Sequence, residues 1–146
     1  MAAGRAWYTA GQGREAKVES GETLQIDRQA LVDFTMRLIA EPSPSGSEGG
    51  VARLVRAEME RLGYRVEVDA LGNVVGAIEV GPGPTVLIDA HMDTVGVTEP
   101  GDWTRSPGGE LVDDRIYGRG AMDMKGPLAA AVHGVAALGG WLRRGL

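Results

Sequence analysis

The amino-acid sequence predicts an α/β fold, and three observations support this prediction. Residues 27–41 and 51–62 carry apolar side chains at the spacing of helices with one buried face. Residues 64–80 alternate apolar and charged side chains around a Leu-Gly-Asn turn, which is typical of a β-hairpin. Residues 86–88 are continuously apolar, which is typical of a strand buried on both faces of a sheet. We therefore expect helices packed against a central sheet.

Length and composition indicate one globular domain of ordinary type. The chain has 146 residues, of which 43% are hydrophobic and 24% are charged, enough for a sizeable core. Its formal net charge of −5 gives no electrostatic reason to expect nucleic acid or an anionic membrane as partner. The absence of cysteine excludes disulfides, thiolate metal ligands and a cysteine nucleophile. Any bound metal must therefore be held by histidine and carboxylates.

Residues 1–25 are expected to form a mobile or loosely attached leader. Charged residues interrupt any apolar stretch that would serve as a signal peptide, namely Arg5, Arg14, Glu15 and Lys17. No apolar run in the sequence is long enough for a membrane span. These features predict a cytoplasmic protein without a membrane partner.

The first predicted helix begins after Asp27, whose side chain suits the N-cap position. Pro42 and Pro44 should end it, because residues before proline avoid the helical region. Its apolar face comprises Leu31, Phe34, Leu38 and Ile39.

The second predicted helix has Ser45 or Ser47 as its N-cap, and Gly63 is placed to end it. Its apolar face comprises Val51, Leu54, Val55, Met59 and Leu62. Its charged residues should lie mostly on the solvated side; they are Arg53, Arg56, Glu58, Glu60 and Arg61. Both helices are interpreted as cover for the sheet.

The predicted hairpin has strands at 64–69 and 74–80, joined by a turn at 71–73. Asp69 and Glu79 are interpreted as structural charges, because exposed strand faces normally carry charged residues.

The predicted central strand at 86–88 runs directly into Asp89, His91, Asp93 and Thr94. In open α/β sheets the ligand site lies beyond the carboxyl ends of the strands. His91 and Asp93 are two residues apart, so in extended backbone they project to the same side. That arrangement suits a metal-binding imidazole oriented by a carboxylate. A His-x-Asp pair taken alone is more often a structural pair, and both interpretations are open at this point.

Asp123 follows a turn that contains Gly118 and Gly120, where the backbone can adopt positive φ or approach another group closely. A carboxylate has two oxygens and can bridge two cations, so two distant segments could meet at one metal site. Met122 and Met124, on either side of Asp123, are expected to pack inward as apolar filler.

The loop between these segments contains Trp103, which either lines a substrate pocket or fixes the loop to the core. Residues 110–117 predict a short hairpin, in which Asp113 and Asp114 form the turn and are not a metal pair.

The last predicted helix covers residues 126–144, with Pro127 in the first turn, where proline is tolerated. His133 lies off its apolar face and is interpreted as a surface histidine in preference to a ligand. The apolar face comprises Leu128, Ala131, Val132, Val135 and Leu138.

Two motifs, HMDTV at 91–95 and YGRGAMDMKG at 117–126, resemble the zinc aminoacylase, acetylornithine deacetylase, succinyl-diaminopimelate desuccinylase and glutamate carboxypeptidase family. The resemblance extends more loosely to EPSPSGSEGG at 41–50 and LGNVVGAI at 71–78. It implies that residues 26–146 are a partial metallohydrolase domain. That domain would be the N-terminal part of a three-layer α/β/α catalytic domain with a central mixed sheet, truncated at its end.

The resemblance also implies the roles of site residues. His91 would be a ligand of one zinc ion, Asp123 would bridge two, and Asp93 would be the catalytic-site carboxylate that holds the His91 ring. Cobalt or manganese could replace zinc. A Glu-Glu pair with the general base, another acidic ligand, a late histidine and a second domain would all lie beyond Leu146.

Two functions follow as alternatives. The first is an N-terminal fragment of a metal-dependent hydrolase that cleaves an amide bond of an N-acyl amino acid or peptide with zinc-activated water. The second is a non-catalytic truncated fragment that at most pairs with another chain. A homodimer is expected only where the missing domain is present.

Overall fold

A computed structural model describes residues 24–145, together with two short strands nearer the N-terminus. The helices are α1 (Arg28–Ala40), α2 (Gly49–Arg61) and α3 (Gly126–Gly145). The strands are β1 (Thr9–Ala10), β2 (Arg14–Glu15), β3 (Arg65–Val68), β4 (Val74–Ala77), β5 (Glu110–Val112) and β6 (Arg115–Tyr117). The prediction of a mobile leader concerns residues that lie largely outside those the structure describes.

Helix α1 confirms the first predicted helix. The Asp27 carboxylate accepts a hydrogen bond from the Ala30 backbone N–H at 3.0 Å, as an N-cap does. The helix ends at Ala40, before Pro42. Phe34, Leu38 and Ile39 are buried on its inner face.

Helix α2 confirms the second predicted helix and its end, but the predicted cap was wrong. Its N-cap is Glu48, which makes no side-chain capping bond. Ser45 does not cap the helix because its hydroxyl is bound to Asp93 instead. The helix ends as predicted, with Gly63 in the left-handed region at φ +86°.

Glu58, which was expected on the solvated side of α2, is buried with 3% of its surface exposed. Its carboxylate accepts hydrogen bonds from Arg61 at 2.6 Å and from Arg37 of α1 at 3.0 Å. His133 of α3 adds a close electrostatic contact, with Nε2 3.0 Å from Glu58 Oε1 but without hydrogen-bond geometry. Compensation by the two arginines is what allows a carboxylate to be buried between the helices.

His133 was also placed wrongly by the sequence pattern, because it is only 4% exposed. Its ring packs against Phe34 with the ring centroids 5.7 Å apart. The buried face of α3 is therefore turned toward Ala129 and His133, and Leu138, expected inside, is 44% exposed. The core joins the three helices and Tyr64, and comprises Phe34, Leu38, Val51, Val55, Tyr64, Leu128, Ala129 and Val132.

Strands β3 and β4 form the predicted antiparallel hairpin, with Arg65 paired to Ala77 and Val68 to Val74. The Asp69 carboxylate accepts the backbone N–H groups of Leu71 and Asn73 at 2.9 Å each, so its structural interpretation is confirmed.

The helices and small antiparallel sheets confirm an α/β fragment, but the described residues form no central mixed sheet. Their sheets are all two-stranded, β1–β2, β3–β4 and β5–β6. The predicted buried strand at 86–88 was wrong, since Val86, Leu87 and Ile88 are 82%, 85% and 55% exposed and belong to no strand. No strand of the described part pairs with this run. The three-layer arrangement stays a prediction.

A cleft of about 390 Å³ is lined by both this run and β4. Its lining comprises residues 73–76, residues 86–90 and apolar residues of α2 and α3. Within residues 24–145, no helix has the length and apolar character that a membrane crossing requires.

Candidate metal centre

The His91 segment is held against the loop that connects α1 and α2. The Thr94 backbone N–H donates to the Ser43 carbonyl at 2.8 Å, and the Ser43 hydroxyl donates to the Met92 carbonyl at 2.8 Å. Ser43 is 1% exposed, so both bonds are shielded from water. These two bonds fix the backbone on both sides of Asp93.

The Asp123 segment is positioned by the predicted glycine turn. Gly118 and Gly120 have φ of +149° and +78°, values that favour glycine. A Cβ atom at Gly120 would lie 2.6 Å from Thr94 Cγ2, so this turn passes directly against the His91 segment. The turn leads into Asp123, which has non-helical backbone angles just before α3.

These two segments bring together all three residues that the sequence singled out. His91 Nε2 lies 2.9 Å from Asp123 Oδ1, and His91 Nδ1 lies 3.0 Å from Asp93 Oδ1. The Ser45 hydroxyl donates to the other Asp93 oxygen, Oδ2, at 2.5 Å. Side-chain exposure rises along this series from 36% for Asp93 and 47% for His91 to 84% for Asp123. The site therefore opens to solvent on the Asp123 side.

The carboxylates of Asp93 and Asp123 favour the positively charged form of the His91 ring. The hydrogen bond with Asp123 raises the pKa of His91, and the contacts with Asp93 act in the same direction. The Ser45 hydroxyl lowers the pKa of Asp93 by stabilising its ionised form. Asp93 is thereby kept as an anion that accepts the Nδ1 proton.

The imidazole makes a contact pattern that fits a cation. Both ring nitrogens face carboxylate oxygens, whereas a neutral imidazole carries a single N–H. If that N–H is on Nδ1, the unprotonated Nε2 faces Asp123 Oδ1, and two hydrogen-bond acceptors then lie in unfavourable contact. A second ring proton or a metal cation at Nε2 removes this contact. Two ligands of one tetrahedral zinc ion lie about 3.3 Å apart. The observed separation of 2.9 Å between His91 Nε2 and Asp123 Oδ1 is close to this value, so a small side-chain movement would let both atoms bind one cation.

The described residues nevertheless supply fewer metal donors than a complete zinc site needs. Across residues 24–145, no group of three or more histidine, cysteine, aspartate or glutamate residues could hold a metal ion. Zinc sites take roughly three or four protein ligands. This part of the chain therefore offers His91 and Asp123 as donors, with Asp93 facing the other ring nitrogen.

Other predicted features near the site had mixed outcomes. Met124 is half-buried, and its sulfur accepts the His91 backbone N–H at 3.4 Å. Met122, expected to pack inward, is 87% exposed, because the irregular backbone around Asp123 directs it to solvent. The Arg119 guanidinium lies 4.8 Å from the Trp103 ring centroid, which favours the interpretation that Trp103 fixes its loop.

The aspartates of the β5–β6 hairpin form the turn, as predicted. Asp113 and Asp114 have φ of +47° and +63°, and Asp114 accepts a hydrogen bond from Arg28 at 3.0 Å.

Sequence reasoning missed the side chains that support the site, namely Ser43, Ser45 and Lys125. Lys125 is 1% exposed, and its Nζ donates to the Glu41 carbonyl at 2.7 Å. Burial lowers the pKa of Lys125. The one signal available for the serines was the EPSPSGSEGG segment of the family resemblance.

Comparison with known proteins agrees with this resemblance. Residues 87–143, which contain His91, Asp93 and Asp123, match the model of Peptidase family M20/M25/M40. The chain is 37% identical over 118 residues to "Uncharacterized protein YgeY" of Escherichia coli K12, covering 80% of this chain and 28% of that protein.

Two further relatives carry hydrolase names. The chain is 40% identical over 104 residues to a putative [LysW]-lysine/[LysW]-ornithine hydrolase of Pyrococcus furiosus, covering 71% of this chain and 29% of the relative. It is 38% identical over 114 residues to the [LysW]-lysine hydrolase of Deinococcus radiodurans, covering 77% and 29%. The chain spans less than a third of the length of these relatives. Residues 87–143 are thus similar to peptidase family M20/M25/M40, and the relatives extend the similarity to 71–80% of this chain.

Proposed function

We propose that this chain forms part of a metal-dependent hydrolase that cleaves the amide bond of an N-acyl amino acid or peptide. The observation that carries the proposal is His91, whose two ring nitrogens face the carboxylates of Asp93 and Asp123 at 3.0 and 2.9 Å. The hydrolase names of two relatives support the reaction class.

Each of the three residues has a proposed role. His91 Nε2 and an Asp123 oxygen are donors to a divalent cation, zinc in the first instance, with cobalt or manganese as substitutes. Asp93 accepts the Nδ1 proton and holds the ring, as carboxylates behind metal-bound histidines do. Asp123 is 84% exposed, so its second oxygen is accessible to a second cation. A divalent cation held here supplies Lewis-acid chemistry and lowers the pKa of water.

The remaining donors and the general base are proposed to come from residues outside those described, either in a longer parent chain or in a partner chain. The number of donors supports this proposal, because residues 24–145 provide no cluster of three metal-binding side chains. The same count favours the alternative function for the 146 residues alone, a non-catalytic chain that binds metal weakly. We expect such a chain to show no amide hydrolysis by itself.

Calorimetric titration with zinc, cobalt and manganese tests the proposal, using the wild type, His91→Ala and Asp123→Ala. Asp114→Ala is the matched control, because Asp114 is an exposed turn carboxylate that pairs with Arg28 and takes no part in the site. We expect weak binding that is lost in both site variants and retained in the control. Metal binding that is unaffected by both site substitutions would refute the proposed site. Hydrolysis of N-acyl amino acids by the wild-type chain would show that its donor set has been undercounted.

A further inference from the structure

The loop of residues 41–46 contains none of the candidate metal donors, yet it contacts both segments that carry them. We propose that Ser45 in this loop is a positioning residue for His91, acting through Asp93. The inference concerns the site of the proposed function and rests on the role of His91 as a donor there.

A line of contacts runs from Ser45 through Asp93 to His91. The Ser45 hydroxyl donates to Asp93 Oδ2 at 2.5 Å, while Oδ1 of the same carboxylate lies 3.0 Å from His91 Nδ1. With one oxygen occupied by the hydroxyl, the carboxylate plane is fixed, and the other oxygen is aimed at the ring. Ser45 therefore restrains the rotation of Asp93 and, through it, the orientation of the imidazole.

The loop itself is anchored, so the Ser45 hydroxyl has a defined position. Ser43 is buried at 1% exposure and bonds the His91 segment twice, through its hydroxyl to the Met92 carbonyl and through its carbonyl to the Thr94 N–H. Ser45 itself is exposed, so its side chain is not needed to fill the core.

The same loop also restrains the Asp123 segment. Lys125, two residues after Asp123, is buried and donates from Nζ to the Glu41 carbonyl at 2.7 Å. Both candidate donors are thus tied to one short stretch of chain. The loop fixes the 2.9 Å separation between His91 Nε2 and Asp123 Oδ1 although it supplies neither atom.

A chemical consequence follows for the neutral imidazole. Asp93 is held by Ser45 and is 36% exposed, whereas Asp123 is 84% exposed and can exchange its contact for water. The single ring proton should therefore lie on Nδ1, which leaves the lone pair of Nε2 directed toward Asp123 and any cation there.

The test reads out the tautomer of His91 by long-range ¹H–¹⁵N NMR of the histidine rings, in the metal-free chain and at a pH high enough to neutralise the ring. The chain has two histidines, and the His91→Ala spectrum assigns them. We expect the Nδ1–H form to predominate in the wild type. In Ser45→Ala, the ¹⁵N shifts of the two nitrogens should move toward each other as both tautomers become populated.

Two variants serve as controls. Ser45→Thr keeps the hydroxyl and should restore the wild-type tautomer. Ser47→Ala removes an exposed serine directly after the loop and should leave the tautomer unchanged. An identical His91 tautomer in Ser45→Ala and the wild type would overturn the inference, as would an equal change in Ser47→Ala.

Zinc titration of the same proteins separates this inference from the proposed function. We expect about tenfold weaker binding in Ser45→Ala, the lower end of what is typical for partners behind a metal ligand. A tautomer change in a chain that binds no zinc would support the positioning role and contradict the proposed metal site. Zinc binding with no effect of Ser45→Ala on either readout would contradict the positioning role alone.

Discussion

Replacing Glu58 by glutamine should destabilise this chain far more than the same replacement at Glu60 on the same helix. Glu58 has 4% of its side chain exposed and accepts hydrogen bonds from Arg61 and Arg37 at 2.6 and 3.0 Å. Glu60 is 48% exposed and pairs with Arg56 at 2.8 Å, so it is a matched control with the same chemistry at the surface.

The magnitude follows from the number and exposure of the partners. A hydrogen bond to a charged group contributes about 1.5–3 kcal/mol. Because the two arginines are 52% and 55% exposed, we discount each bond to about 1 kcal/mol. Glu58→Gln should therefore lower the free energy of unfolding by about 2 kcal/mol. The exposed pair of Glu60 is expected to contribute about 0.3–0.5 kcal/mol.

Urea denaturation at neutral pH, followed by circular dichroism, measures both variants on one scale. Burial acts to raise the pKa of Glu58, but the hydrogen bonds from Arg61 and Arg37 outweigh it, and the pKa lies below the ordinary value of 4.5. The carboxylate is consequently ionised at neutral pH, where the comparison is made. Equal losses of stability in Glu58→Gln and Glu60→Gln would refute the reasoning that the ion pairs of buried Glu58 stabilise the fold more than the exposed pair of Glu60.

Three further predictions concern pH, a buried hydroxyl and self-association. Burial lowers the pKa of His133 below its ordinary value of 6.5, so at this residue the unfolded chain binds protons more readily than the folded one. His91, whose pKa is raised, acts in the opposite direction over the same pH range, so the comparison is made in His91→Ala. In that variant stability should be complete above about pH 6.5 and decline as the pH falls, with Glu58 adding a further loss below about 4.5, and a flat acid profile in thermal melts would contradict this. Tyr64→Phe removes the hydrogen bond that Tyr64 donates to the Val132 carbonyl at 2.5 Å and should cost about 1 kcal/mol in urea denaturation, with an unchanged midpoint as the opposing result. Burial raises the pKa of this phenol to about 12, so the wild type should show no tyrosinate absorbance from it at pH 10. Leu87→Lys should reduce concentration-dependent association in analytical ultracentrifugation, because Leu87 is 85% exposed in an apolar run, and a wild type that stays monomeric at all concentrations would argue against this.

Local patterns in the sequence were sufficient for the elements that are stabilised locally. Asp27 caps α1 as predicted, and the turn around Gly72 forms because its own neighbours satisfy its backbone. The predictions failed where distant residues decide burial. His133 and Glu58 are polar residues on helices, and only the meeting of α1, α2 and α3 explains why they lie inside.

The candidate site shows the same division. His91 was singled out by its position after the predicted strand and Asp123 by the glycine turn before it, and the family resemblance implied their metal roles. Their contact joins segments 32 residues apart, a distance that no local pattern spans. The support from Ser45 and Lys125 comes from hydrogen bonds across 48 and 84 residues. Both residues lie in segments of the family resemblance, 41–50 and 117–126, but the sequence assigned neither a role at the site, because their partners are so distant along the chain.

The exposed aliphatic run from Val86 to Ile88 has a consequence for the amount of this chain that a cell maintains. Chaperones and proteases act on polypeptides that leave hydrophobic surface uncovered, and small losses of stability change protein abundance several-fold. We expect the run to act as a quality-control signal. The steady-state level of the chain would then depend on whether another polypeptide segment occupies the cleft beside it.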